Sequence, residues 1–182
     1  LWHYRSEDER LIAFSNRHQD LYRSRLITAP SVTEKSPFVY HQVEGDYKDI
    51  SGKCPIAEIE KTVSLAIDHL KNNPNESLGV IALGSDHARS LYKEFQRQSE
   101  NLTLQLWPEN KPEEKFIIRH LENVQGDERD VIFLSTGSGP RKHDAVRLDF
   151  GPINSDKNLF GLRRLNVAIT RSRKRLEVIS TI

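Results

Sequence analysis

Short apolar runs alternate along the chain with longer stretches in which apolar residues recur every three or four positions. The runs at 38–43, 79–83, 116–118, 131–134 and 176–179 are rich in β-branched or aromatic residues, as buried strands are. They predict five strands. Between them, Ile56, Ile59, Val63, Ala66, Ile67 and Leu70 trace one apolar stripe and Ala88, Leu91, Tyr92 and Phe95 a second, so an amphipathic helix is expected over each. Pro55 suits the start of the first helix, and Ser85 or Asp86 the cap of the second. Further helices are expected over 7–17 and 162–172, and the polar stretches 28–37, 45–53 and 137–157 read as loops. Strands alternating with helices predict an α/β fold with a mostly parallel sheet covered on both faces.

At 182 residues the chain is long enough for one domain with a substantial core. Its 27 Lys and Arg nearly balance 26 Asp and Glu, so net charge alone draws it to no polyanion, and a basic site has to come from local clustering. One cysteine, Cys54, makes neither an internal disulfide nor a cysteine zinc cage, and the seven histidines lack ligand spacing, so no metal is expected. No apolar run approaches the roughly 20 residues of a membrane span, and no signal-peptide pattern opens the chain. An intracellular, cytoplasmic protein with no membrane partner is expected. The chain opens on Leu1, contains no methionine and stops at Ile182 directly after an expected strand, which reads as a piece of a longer protein.

Three segments are candidates for chemistry. Arg163, Arg164, Arg171, Arg173, Lys174 and Arg175 fall within fifteen residues that contain no acidic side chain. On one continuous helix Arg164 and Arg171 share a face, pointing two guanidinium groups outward while Leu162, Leu165 and Ile169 dock inward. Guanidinium suits phosphate because its charge is permanent and its donors bind in pairs; the alternative is a solvated basic helix. Carried two positions on, the same helix turns Arg173 about 200° from Arg171, so Arg173 is expected to matter little to chemistry at Arg171. The second segment, residues 122–130, sets Gly126 in a polar turn between two strands, flanked by Gln125 and Glu128, and reads either as a ligand-approach turn or as an ordinary acidic turn. In the third, Trp2-His3-Tyr4-Arg5-Ser6, an aromatic beside an arginine could stack on a base and pair with a phosphate, or form a partly buried aromatic cluster.

The run Arg163-Arg164-Leu165-Asn166-Val167-Ala168-Ile169-Thr170-Arg171-Ser172-Arg173 resembles motif VI of superfamily 1 helicases. Val124-Gln125-Gly126-Asp127-Glu128-Arg129-Asp130-Val131-Ile132 resembles their motif V, and Tyr4-Arg5-Ser6 with Leu11-Ile12-Ala13-Phe14-Ser15-Asn16 resembles the entry to their second motor domain. The variety is the 5′-to-3′ branch related to the nonsense-mediated-decay helicase. The resemblance implies that residues 1–182 form one RecA-like C-terminal helicase domain, a three-layer α/β sandwich. It implies that Arg171 is an arginine finger on the γ-phosphate of ATP, Arg5 a second γ-phosphate contact and Tyr4 an adenine stack. Gln125, Gly126, Glu128 and Arg164 would lie along the nucleotide. The implied partners are single-stranded DNA or RNA and the N-terminal RecA-like domain of the same chain. That domain would carry the phosphate loop and the carboxylates for Mg2+, since no Gly-x-x-x-x-Gly-Lys-Ser/Thr and no strand-terminal Asp-Glu pair occurs here.

The sequence departs from the family pattern at Ala82-Leu83-Gly84-Ser85-Asp86-His87, where many members carry Thr-Pro-Tyr and then Gln, and at His120, where motif V often opens on Thr or Ser. Two rival readings are a non-catalytic nucleic-acid-binding or assembly module of the same fold, and a carboxylate-dependent nuclease built on Asp127, Glu128 and Asp130.

Overall fold

All strand pairings in the central sheet are parallel. The computed structural model describes residues 2–3, 6–31, 34–44, 54–124, 126–137 and 159–181. Among these, β1 (Phe38–Gln42), β2 (Leu78–Ala82), β3 (Ile117–His120), β4 (Arg129–Ser135) and β5 (Ser172–Ser180) lie in the spatial order β1-β5-β4-β2-β3. Each expected apolar run lies in or overlaps one of these strands. The helices among the described residues are α1 (Arg10–Arg17), α2 (Ile56–Asn72), α3 (Ser85–Ser99) and α4 (Leu159–Ile169), and a 3-10 turn spans Leu121–Asn123.

Strand alternation sends the two central strands into both faces at once. Leu78, Val80, Val131, Phe133 and Ile179 meet Val63, Ala66, Ile67 and Leu70 of α2 and Leu91 and Phe95 of α3. On the other face Ile81, Ile132, Leu134 and Leu176 meet Leu11 of α1, Ala168 of α4, and Leu121 and Val124. Every residue of β2 and β4 is buried, which is why β2 and the 131–134 run of β4 read as continuous apolar stretches rather than alternating ones. The result is an α/β sandwich of three layers.

Helix ends differ from expectation for identifiable reasons. Helix α1 starts at Arg10, not at residue 7, because the Glu7 N–H is given to the Arg173 carbonyl at 2.7 Å while Asp8 accepts the Arg10 N–H at 2.9 Å and grips its guanidinium. Neither Ser85 nor Asp86 caps α3; the cap position is Gly84, in extended backbone and with no side-chain bond. Helix α4 ends at Ile169, not 172. There the Arg129 N–H donates to the Arg171 carbonyl at 3.1 Å and Ser172 pairs with Arg129, so residues 170–172 leave the helix to join the sheet.

The start of the sheet is held by a buried ionic cluster. Pairing between β4 and β5 skips register between Arg129 and Val131, leaving an extra residue in β5, an irregularity of the kind that re-aims side chains. Arg173 lies in it. Its Nε and a terminal nitrogen donate to Asp130 at 3.1 and 2.9 Å, and it also binds Glu114. Asp130 is fully buried and takes Lys111 Nζ at 3.0 Å and the Ser77 N–H at 3.2 Å. Burial by itself would raise the carboxyl pKa, but the bonds from Lys111, Ser77 and Arg173 outweigh it and hold Asp130 below the usual range. Glu114 is held low in the same way, burial being outweighed by Arg173 and Ser77. Asp8, bonded by Arg10 and then Ser31, sits at about 2.

Two outcomes follow from this cluster. Arg173→Ala leaves Asp130 buried beside one remaining cation and should cost about 3 kcal/mol of unfolding free energy in urea. All three carboxyls have folded pKa values below their unfolded ones. Their stabilisation is therefore complete above about pH 5 and is lost as pH falls from there through the folded values, down to about 2 for Asp8. Thermal melting followed from pH 6 to pH 2 should show that loss, and Asp130→Asn should flatten it.

Candidate functional site

Two turns meet at the N-terminal ends of adjacent strands. Residues 126–128 lead into β4 and residues 170–171 into β5; the bond from the Arg129 N–H to the Arg171 carbonyl joins them. The segment before α1 reaches the same end of β5 through the Glu7 to Arg173 bond. Three stretches far apart in sequence are thereby brought together.

Gly126 is exposed at φ 91°, and nothing lies within 4 Å of the position its Cβ would occupy. The glycine is required by backbone conformation, with open space beside it. Glu128 is half-buried, and its carbonyl accepts a bond from Arg129 at 2.7 Å. Arg171 is 9% exposed, with Nε donating to the Val167 carbonyl at 3.0 Å, which pre-orients the guanidinium against the end of α4. Since Arg171 lies beyond that helix, the predicted shared helical face with Arg164 does not form. Arg164 itself is on α4, its side chain outside the described residues, as are Tyr4, Arg5 and Gln125 altogether. Trp2 is 69% exposed beside Ile27, so it belongs to no buried aromatic cluster.

The last three residues of the basic run are neutralised by carboxylates. Arg173 pairs with Asp130 and Glu114, Lys174 with Glu76 at 3.8 Å, and Arg175 with Glu177 at 2.7 Å. The run is not one continuous helix, and Arg173 is structural rather than indifferent. The same cluster removes Asp130 from any nuclease reading, because its carboxylate is already held by two cations. Among the described residues no group of three or more His, Cys, Asp or Glu side chains is placed to hold a metal, and no helix is long and apolar enough to cross a membrane.

Sequence reasoning missed a second buried polar cluster, at the opposite end of the sheet. Glu58, fully buried in the first turn of α2, accepts bonds from Ser135 Oγ and the Gly137 N–H, each at 2.7 Å. His87 Nε2 lies 2.7 Å from Ser135 Oγ. The family departure at His87 thus has an internal use: the ring is 3% exposed and braces the exit of β4. The available signal was the spacing of Glu58 and Thr62, four apart beside the apolar stripe of α2.

A family model described as AAA domain (AAA_12) matches residues 2–182. An uncharacterized ATP-dependent helicase, MG140, of Mycoplasma genitalium is 31% identical over 99% of this chain. Its homolog in Mycoplasma pneumoniae is 30% identical over the same share. The chain spans 16% of the length of each of these curated relatives. A crystal structure of the C-terminal domain of a possible DNA helicase from Lactobacillus plantarum WCFS1 covers 97% of this chain and 88% of its own, at 10% identity and a TM-score of 0.49. That superposition is too loose to inform the site.

The two positive-φ glycines among the described residues should respond unequally to alanine. Gly126→Ala meets only backbone strain and should cost about 1–2 kcal/mol. At Gly137, φ 64°, the new Cβ would also sit 2.7 Å from His87 Cγ, so Gly137→Ala should be the more damaging in urea unfolding.

Proposed function

The chain belongs to the AAA_12 family of AAA domains, and from that premise we propose that it is the second, C-terminal motor domain of an ATP-dependent superfamily 1 helicase. Within that superfamily we assign it to the 5′-to-3′ branch related to the nonsense-mediated-decay helicase. The observation that carries the reading is the backbone bond between Arg129 and Arg171, which sets the glycine turn and the arginine turn side by side. It is supported by the names of the two Mycoplasma relatives, both ATP-dependent helicases.

In this reading ATP is bound between the chain and a partner motor domain that supplies the phosphate loop and the carboxylates for Mg2+. Arg171 reaches the γ-phosphate and neutralises charge that develops on its oxygens during transfer, a contribution of roughly 10³ to 10⁵ in rate for an arginine finger. It takes no proton; its pKa is far too high for a base. The bond to Val167 holds the planar group oriented before the domains close. Arg5 makes a second phosphate contact and Tyr4 stacks on adenine. Gln125, Gly126, Glu128 and Arg164 line the nucleotide, with the Glu128 carboxylate accepting from ribose hydroxyls. Closing and opening around ATP steps the two domains along a single strand.

In the longer protein containing this chain, Arg171→Lys keeps the charge and loses the paired planar donors. Strand-stimulated ATP hydrolysis should therefore fall almost as far as in Arg171→Ala, with nucleotide affinity changing much less. The control is Arg163→Ala, exposed on α4, which should hydrolyse normally; Arg173 cannot serve because its loss unravels the ionic cluster. Near wild-type turnover by Arg171→Lys would overturn the finger assignment. The 182-residue chain alone should show no strand-stimulated hydrolysis, and turnover that is abolished by Arg171→Ala would show that no partner domain is needed.

A further inference from the structure

The loop after α1 holds a backbone shape that its residues do not favour. Arg23 and Ser24 follow one another at φ 54° and 57°, the left-handed region where glycine or asparagine is usual. The surrounding bonds enforce it. The Asn16 side chain exchanges two hydrogen bonds with the Leu26 backbone, at 3.0 and 3.1 Å, closing the loop at its base. The Ser24 N–H donates to the Asn16 carbonyl at 2.6 Å and the Arg23 N–H to the His18 carbonyl at 3.2 Å. Strain maintained in this way is found where a loop has a shape to present.

What it presents is an open cavity of about 610 Å3 lined by Arg17, Gln19, Asp20, Arg23 and Ser24. Its arginines differ from many others in the chain. Arg10, Arg89, Arg97, Arg173 and Arg175 each pair with a carboxylate. Among the described residues the Arg17 guanidinium makes no bond or ion pair, and Arg23 commits only Nε, to the Gln19 carbonyl at 2.6 Å. Asp20 lines the same cavity without forming an ion pair to either. One turn before Arg17 on α1, Phe14 is 48% exposed, its ring 5.8 Å from that of His18.

We propose that this cavity, together with Phe14 one helical turn before Arg17, is a binding site for single-stranded nucleic acid, separate from the two turns at the start of β4 and β5. Arg17 and Arg23 hold successive phosphates, Ser24 and Gln19 supply further donors, Asp20 accepts from a sugar hydroxyl or base amine, and Phe14 offers a stacking face. Two uncommitted guanidinium groups beside an exposed ring form the pairing of backbone charge and stacking surface that single strands require. The proposal draws on the helicase reading only for why a strand is at hand, and on none of its ATP contacts.

The test is anisotropy of a fluorescein-labelled oligothymidylate titrated with the 182-residue chain between about 50 and 200 mM salt. A single strand loses about 0.7 of salt slope per phosphate contact, so the Arg17→Ala/Arg23→Ala double variant should flatten the slope by about 1.4 and bind about tenfold more weakly at the low-salt end. Phe14→Ala should weaken binding about fivefold or more with the slope unchanged, since stacking releases no counterions. The Arg89→Ala/Arg97→Ala double variant removes the same charge from α3 and should leave both quantities alone. An unaltered slope in the first variant, an equal loss in the α3 control, or no strand binding by the wild-type chain would overturn the proposal. So would displacement of the strand by inorganic phosphate at constant ionic strength, which would make the cavity a simple anion site. None of these outcomes bears on Arg171, whose hydrolysis test stands by itself.

Discussion

Asp130 and Arg173 form the interaction on which the rest of the arrangement depends. A buried ion pair gains little net stability over apolar packing, but it is costly to break and it specifies geometry. Here it specifies the register of the two strands that carry the candidate site. Arg173 reaches Asp130 from the irregular start of β5, while Ser77 ties in the start of β2, and Lys111 and Glu114 the connection leading to β3. With those starts held together, Arg171 and the glycine turn have no freedom to separate.

The two ends of the sheet are built on the same principle with different chemistry. At the N-terminal end of the strands, charges compensate each other and leave Arg171 at the edge with its guanidinium pre-oriented by Val167. At the C-terminal end, Glu58 gathers hydroxyl and backbone donors around the exit of β4, with His87 pressed close beneath Gly137. Between them lies an apolar sheet covered on both faces. Buried polar networks tie their surroundings together, even though His87 Nδ1 in the second has no hydrogen-bond partner among the described residues. Rigid ends on a packed core suit a domain whose proposed work is to present one face repeatedly to a partner without changing shape itself.

Much of the fold was legible because local physics and burial agree. Strands buried on both faces are mostly apolar, so β2 and the 131–134 run of β4 announce themselves, and the stripes on α2 and α3 have only one face to bury. The resemblance to helicase motifs marked Arg171, Gly126 and Glu128, and the fold brings the turns that bear them together. Helix ends were less legible. The chain from Leu162 to Arg173 has unbroken helical periodicity, and nothing local says that it stops at Ile169; the stop is imposed by Arg129, more than thirty residues away, taking the Arg171 carbonyl into the sheet.

The sequence by itself determined the layers and the parallel sheet, because these depend on periodicity and on side-chain type. Only the tertiary structure decided which charges are available. Six basic residues in fifteen with no acidic residue among them read as one positive surface, yet Glu76, Glu114 and Asp130 arrive from other strands and connections, and Glu177 from two positions further along β5, to neutralise Arg173, Lys174 and Arg175. Meanwhile Arg17 and Arg23, unremarkable in a mixed stretch with Asp20 between them, are left uncommitted by a loop closed through Asn16. A charge is cancelled beyond a few ångströms by an opposite charge beside it, and salt screens an exposed one within about 10 Å. Its effective sign at any point therefore belongs to the fold rather than to the order of residues.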